Sequence, residues 1–172
     1  MSPENRALLM RANRLMGASL VEANLVKIDD LEKANEKLFE IIAAQNARQS
    51  TLLGVLCNQM KVLNEDDVIA YVTDKEPVGL IDLRSYDVSE DLRKTLDTAA
   101  CWATWTVPFD REDDFYSVAT AYYLSAAVRK HWEKVLGGPI IWYATTLEML
   151  ADYLEKWDAE RAAMPMLSRS GS

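Results

Sequence analysis

His131 is the single histidine of the chain, set in the segment Arg129-Lys-His-Trp-Glu-Lys134 with no second histidine and no cysteine pair near it. One imidazole cannot complete a zinc site, and no Ser or Cys stands beside a base in a recognisable context, so His131 reads as a helix-surface residue. The acids Asp110, Glu112, Asp113 and Asp114 could ligate Ca²⁺ or Mg²⁺, but they lack the alternating-oxygen loop and closing bidentate Glu of an EF-hand. A solvated hairpin tip accounts for them. Asp29-Asp30 and Asp66-Asp67 could form acid/base dyads, yet each pair falls at an expected helix start, where negative charge complements the dipole. The glycines at 17, 54, 79, 137, 138 and 171 form no Gly-x-x-x-x-Gly-Lys-Ser/Thr loop to cradle a triphosphate. Cys57 and Cys101 lie far apart in apolar surroundings and read as buried free thiols. With no catalytic residue, metal ligand or cofactor site declared, the chain reads as a binding or regulatory module and not as an enzyme.

The 172 residues, 49% of them hydrophobic, suffice for one domain or two closely packed subdomains with a real core. Nineteen Lys and Arg against 27 Asp and Glu leave a net charge of -8, which repels nucleic-acid backbones and anionic membrane surfaces. Apolar stretches such as 137–144 stop far short of the roughly 20 residues of a membrane span. Met-Ser-Pro-Glu-Asn-Arg lacks the basic-then-apolar order of a secretory signal, so a cytoplasmic protein is expected.

The elements that would position a site begin at Ser2-Pro3-Glu4, a cap followed by Pro at the first helical position. Leu8, Ala12, Leu15, Ser19, Leu20 and Ala23 then recur at helical spacing. Asp29, with Glu32 three residues on, is expected to cap a second helix whose inner face carries Leu31, Ala34, Leu38, Ile41 or Ile42, and Gln45, running to about Arg48. An internal repeat organises this half: Gly17, Asn24, Leu25-Val26 and Asp29-Asp30-Leu31 recur 37 positions later as Gly54, Lys61, Val62-Leu63 and Asp66-Asp67-Val68. Each copy predicts a helix, a turn near Asn24 or Lys61, and a new helix, the second capped by Asn64 and ended by Pro77 and Gly79.

A strand over Val78–Leu83 and a helix from about Ser89 to Ala100 lead into the second half, which holds all five tryptophans. Trp105–Phe109 and Phe115–Thr120 predict two strands around the acidic hairpin, with Pro108 placing the first at an edge or strand end. A helix over about 124–136, closed by Gly137, then a strand at Ile140–Ala144 and a helix from Thr146 to about Arg161 imply a parallel strand pair. The expected fold class is α+β: a helical subdomain of two helix–turn–helix units at 1–83, an α/β sandwich subdomain of about three strands at 84–162, and a disordered tail at 163–172.

The duplicated pattern Leu15–Val26 and Leu52–Leu56, with Val78–Leu83 and the strand segments beyond Trp105, resembles the N-terminal domain of type II secretion and type IV pilus assembly ATPases over residues 14 to about 157, without the ATPase domain. That resemblance implies docking to a protein partner, a platform or motor component of a secretion or pilus machine. In a subset, the MshE N-terminal type, the repeats bind cyclic di-GMP through an Arg two residues before each Gly, a turn Gly, and a Gln in the following helix. Here Leu15 and Leu52 stand for the Arg, Asn24 and Lys61 for the turn Gly, and Leu38 and Lys75 for the Gln.

Two functions follow. The leading expectation is a non-catalytic adaptor with a protein interface at Trp142, Tyr143, Tyr122 and Tyr123, since large aromatics carry interface hot spots, although most of the aromatics are expected in the core. The alternative is a divergent cyclic di-GMP receptor using Arg14, Gly17, Arg48 and Gly54, with an apolar frame of Leu20, Leu25, Leu53 and Leu56. In that case Arg14 and Arg48 substitute for the missing arginines.

Overall fold

The computed structural model describes residues 2–44 and 50–170, the last seven of them as backbone alone. Helix α1 (Pro3–Glu22) starts as its sequence dictates: the Ser2 side chain accepts a hydrogen bond from the Asn5 N–H, and Pro3 occupies the first turn. Its inner face is Leu8, Leu9, Ala12, Asn13, Met16, Gly17 and Leu20. Leu15, expected on that face, is only half-buried, and Met16 takes the inner position. The chain turns at Asn24, whose φ of 60° is left-handed, and enters α2 (Ile28–Ala43).

The same path is drawn again 37 residues later. A three-residue α3 (Leu52–Gly54) runs into a π-helical turn at Val55–Gln59, Lys61 takes the left-handed conformation at φ 55°, and α4 (Glu65–Lys75) begins. The N-caps Lys27 and Asn64 stand at the same repeat offset, each three positions beyond the left-handed residue. Equivalent core positions are buried in both copies: Met16 and Leu53, Val26 and Leu63, Leu31 and Val68. The copies differ in winding. In the first, Leu25 N–H reaches back to the Leu20 carbonyl, whereas in the second Val62 N–H reaches one residue further, to Leu56.

Asp29 does not cap α2. Lys27 holds the cap position without a side-chain bond, and Asp29 and Asp30 lie within the first turn, because the left-handed turn starts the helix in the same register as α4. Among the described residues α2 ends at Ala43; Gln45 and Arg48, expected in it, lie outside them.

The expected strand at 78–83 shortens to β1 (Gly79–Leu80), because the Asp82 carboxylate accepts from the Arg84 N–H and starts a 3₁₀ turn at Leu83–Ser85. The helix expected from Ser89 to Ala100 is two helices, α5 (Glu90–Thr95) and α6 (Thr98–Thr104), since Asp97 caps a new start by accepting from Ala99 N–H. β2 (Thr106–Glu112) and β3 (Phe115–Thr120) form the antiparallel hairpin, with Asp113 left-handed at its tip. Helix α7 (Ala126–Leu136), closed by left-handed Gly137, carries the chain to β4 (Ile140–Ala144), and α8 (Leu147–Ser170) follows. The helical path of α8 continues through residues 163–170, where a disordered tail was expected. Residues 171 and 172 lie outside the described residues.

The architecture is α+β, with a helical repeat half and a small mixed sheet in the order β1-β4-β3-β2. β4 pairs in parallel with both β3 and β1, so four strands form the sheet instead of about three: β1, from the repeat half, is its edge. Pro108 lies on the opposite edge strand, where its missing N–H costs no ladder bond. One continuous hydrophobic core joins the halves, with Trp132, Trp157 and Tyr122 among its largest fully buried side chains.

Candidate functional site

The junction of the two repeats is built around Gly17. A Cβ there would stand 2.7 Å from Leu31 Cδ1 and 3.0 Å from Leu52 Cδ2, so any side chain at this position would force the leucines of α2 and α3 to shift. Gly54 meets different neighbours, its own Thr51 methyl at 2.8 Å and Leu147 of α8 at 3.7 Å. The two glycines therefore do not face a common cleft.

Beside Gly17 lies a buried polar cluster that ties three parts of the chain together. Tyr122 Oη donates to Asn13 Oδ1 at 2.6 Å and accepts from Leu53 N–H at 3.2 Å. Since Asn13 Oδ1 can only accept, the phenolic proton belongs there, and the Thr51 hydroxyl, 2.6 Å from Tyr122 Oη, is the donor of that contact. Asn13 Oδ1 also accepts from Leu52 N–H at 3.0 Å, its amide nitrogen donates to the Leu9 carbonyl, and Thr51 Oγ1 accepts from Gly54 N–H at 3.4 Å. Each side-chain polar atom of Asn13, Thr51 and Tyr122 has at least one partner. Burial pushes the Tyr122 phenol well above its ordinary value, so it stays neutral.

Tyr122, expected at an interface, is fully buried in this cluster and presents nothing to a partner. Trp142 is also withdrawn into the core, because β4 is an interior strand with α4 packed against it. Tyr143 and Tyr123 stay half-buried: Tyr143 packs edge-on against Phe109, and Tyr123 against Trp142 with the Arg129 guanidinium 5.0 Å from its ring centroid.

The nucleotide candidates are dispersed. Leu20, Leu53 and Leu56 are core residues at 0–1% exposure, Leu25 is half-buried, and Arg14 is exposed. Arg48 lies outside the described residues. At the second turn an open groove of about 680 Å³ runs past Cys57, Lys61 and Val62 to Glu65, Asp66 and Asp67. Three carboxylates face one ammonium there. Glu65 accepts from the backbone N–H of Leu147, the first residue of α8, at 3.1 Å, and burial holds its carboxyl above the ordinary glutamate range despite that bond.

Cys57 is half-buried, its thiol pushed up to about 12 by burial first and the Glu65 charge second. Cys101 is fully buried, and burial raises it as well. Burial and the nearby Arg11 lower the pKa of His131, which lies edge-on to Trp132. Among the described residues no group of three His, Cys, Asp or Glu is placed to hold a metal, and no helix is long and apolar enough to cross a membrane.

No protein-family model matches the chain, and no curated protein matches it. Solved structures do match. The N-terminal domain of XpsE, in two crystal forms, superimposes with TM-scores of 0.54 and 0.56 at 17% and 18% identity, covering 91% and 85% of this chain and 97% and 95% of those chains. A structure of MshE with cdg superimposes with a TM-score of 0.52 at 18% identity, covering 83% of this chain and 97% of that one. The chain has the fold of the XpsE and MshE N-terminal domains. Within this XpsE-like fold the duplicated turns at Asn24 and Lys61 were legible in the sequence, whereas the Asn13–Thr51–Tyr122 cluster was not. Its one available signal was the repeat itself, which aligns Asn13 with Ser50, two buried polar residues four positions before the glycines.

Proposed function

We propose that the chain is a non-catalytic adaptor that docks to a protein component of a secretion or pilus machine. The likeness to XpsE and MshE N-terminal domains supports that setting. The observation that carries the reading is the fate of the apolar frame expected to seal a nucleotide: Leu20, Leu53 and Leu56 are consumed by the core, and Gly17 is closed over by Leu31 and Leu52. The groove left open at the second turn carries three carboxylates, which repel a ligand with two phosphates. Docking is tested by affinity capture of the tagged chain from its native lysate, followed by reconstitution with the purified candidate. A capture containing no secretion or pilus component would remove this reading.

A divergent cyclic di-GMP receptor is the second reading, favoured by the two left-handed turns at equivalent repeat positions and by the shared fold of MshE with cdg. Calorimetric titration with cyclic di-GMP separates the two. Saturable heat at submillimolar ligand establishes the receptor, and silence eliminates it.

A further inference from the structure

We propose that the groove between α5, the β2–β3 hairpin and the last turn of α7 is a docking site for an acidic amphipathic segment of a protein partner. The proposal rests on the adaptor reading and names the chemistry of its partner. The groove measures about 390 Å³. Its floor is apolar, made by Leu92 and Leu96, and Val135 opens half its surface to solvent at 50% exposure. An isolated exposed valine means little, but this one borders a concave apolar trough.

The rim supplies the charge. Among the residues that line the groove Arg111 and Lys94 stand against Asp91, an excess of one positive charge in a chain whose net charge is -8, and the acids Glu112, Asp113 and Asp114 follow Arg111 at the hairpin tip. The Arg111 guanidinium lies 5.2 Å from the centroid of the Tyr116 ring, which orients its planar fork before any partner arrives. Lys94 makes no ion pair among the described residues. Lys134, in the last turn of α7, offsets the negative end of that helix where it reaches the groove. An apolar floor with one positive charge in excess at its lip fits a segment that places a large apolar side chain beside a carboxylate. Two cations are too few to hold a phosphate backbone against the field of the whole chain.

The test uses the intact chain and a phage-displayed random peptide library. Selected peptides are synthesised and titrated by fluorescence anisotropy against the chain and against a Lys94→Glu/Arg111→Glu variant. Both substitutions are on the surface, so circular dichroism should show an unchanged fold. The expected outcome is enrichment of Asp or Glu beside Leu, Ile or Phe, affinity about tenfold weaker in the variant, and weakening with added salt. A separate Val135→Ser variant should weaken binding without altering the salt dependence. Selection of basic or neutral peptides, affinities equal for chain and variant, or no selection at all overturns the proposal. So does sedimentation showing a dimer that the charge reversals dissociate, because the groove would then belong to a second copy. If the variant still captures the same secretion or pilus component as the unaltered chain, the groove proposal fails and the adaptor reading stands.

Discussion

Tyr122 donates its phenolic proton to Asn13 across 2.6 Å, joining a residue of the first repeat to one from the sheet half, 109 positions apart. The same oxygen accepts from Leu53 N–H and Thr51, so the second repeat is held at that point too. Replacing Tyr122 by Phe leaves Leu53 N–H and the Thr51 hydroxyl without an acceptor, and Asn13 Oδ1 with one donor. Unmatched buried groups cost about 1–3 kcal/mol each, so Tyr122→Phe should lower unfolding free energy by about 3 kcal/mol. Urea denaturation measures it, and a loss below about 1 kcal/mol would show that water reaches the cluster.

Asn24 and Lys61 both hold left-handed backbone at equivalent repeat positions. An L side chain in that conformation costs roughly 1–2 kcal/mol, less for Asn, whose short amide bonds locally, than for Lys. Lys61→Gly should therefore stabilise the chain by up to about 1 kcal/mol after glycine's own entropic cost, and Asn24→Gly by less. Thermal unfolding of the two single variants checks the order. A destabilised Lys61→Gly would mean that the lysine side chain makes a compensating contact.

The offset of 37 was legible because the duplication preserved the glycines 17 and 54, the aliphatic pairs that follow the left-handed Asn24 and Lys61, and the acid pairs in the first turn of each following helix. Tyr122 was misassigned because in sequence it is one of two adjacent tyrosines with no sign of which faces inward; the matched acceptors that make its burial tolerable come from Asn13 and Thr51, far away in the chain. The break between α5 and α6 was missed because helical residues continue through it. Only the Asp97 side chain, bonding Ala99 N–H, makes a new start favourable there. The groove beside Arg111 has no linear signature, since its walls come from three separated segments.

Thiol reactivity follows from burial. The Cys57 thiol is pushed up to about 12, so little of it is thiolate at pH 8 although it lines an open groove, and Cys101 has no exposed surface. In the folded chain both should react with Ellman's reagent far more slowly than a free thiol, and both should titrate at once in urea. Rapid modification in the native chain would mean that the Cys57 thiol is not raised by its surroundings, or that Cys101 is reached by opening of the core.

Glu65 links the second repeat to α8 by accepting from Leu147 N–H, and its carboxyl titrates above the ordinary glutamate value of 4.5, burial being the largest cause. A carboxyl whose folded pKa is raised binds its proton more tightly when folded. Its contribution to stability is fully present below the unfolded value and declines as pH rises through the folded one. Glu65→Gln keeps an acceptor oxygen for Leu147 without the charge, so it should be more stable than the unaltered chain at pH 7, with the difference shrinking toward zero as pH falls below 4.5. Glu65→Ala strands the Leu147 N–H and should be less stable than Glu65→Gln at either pH. Urea midpoints of the three proteins across that range decide the matter. If Glu65→Gln is the weaker protein at pH 7 and equal in acid, the ionised carboxylate is stabilising where it sits, and the desolvation argument is wrong.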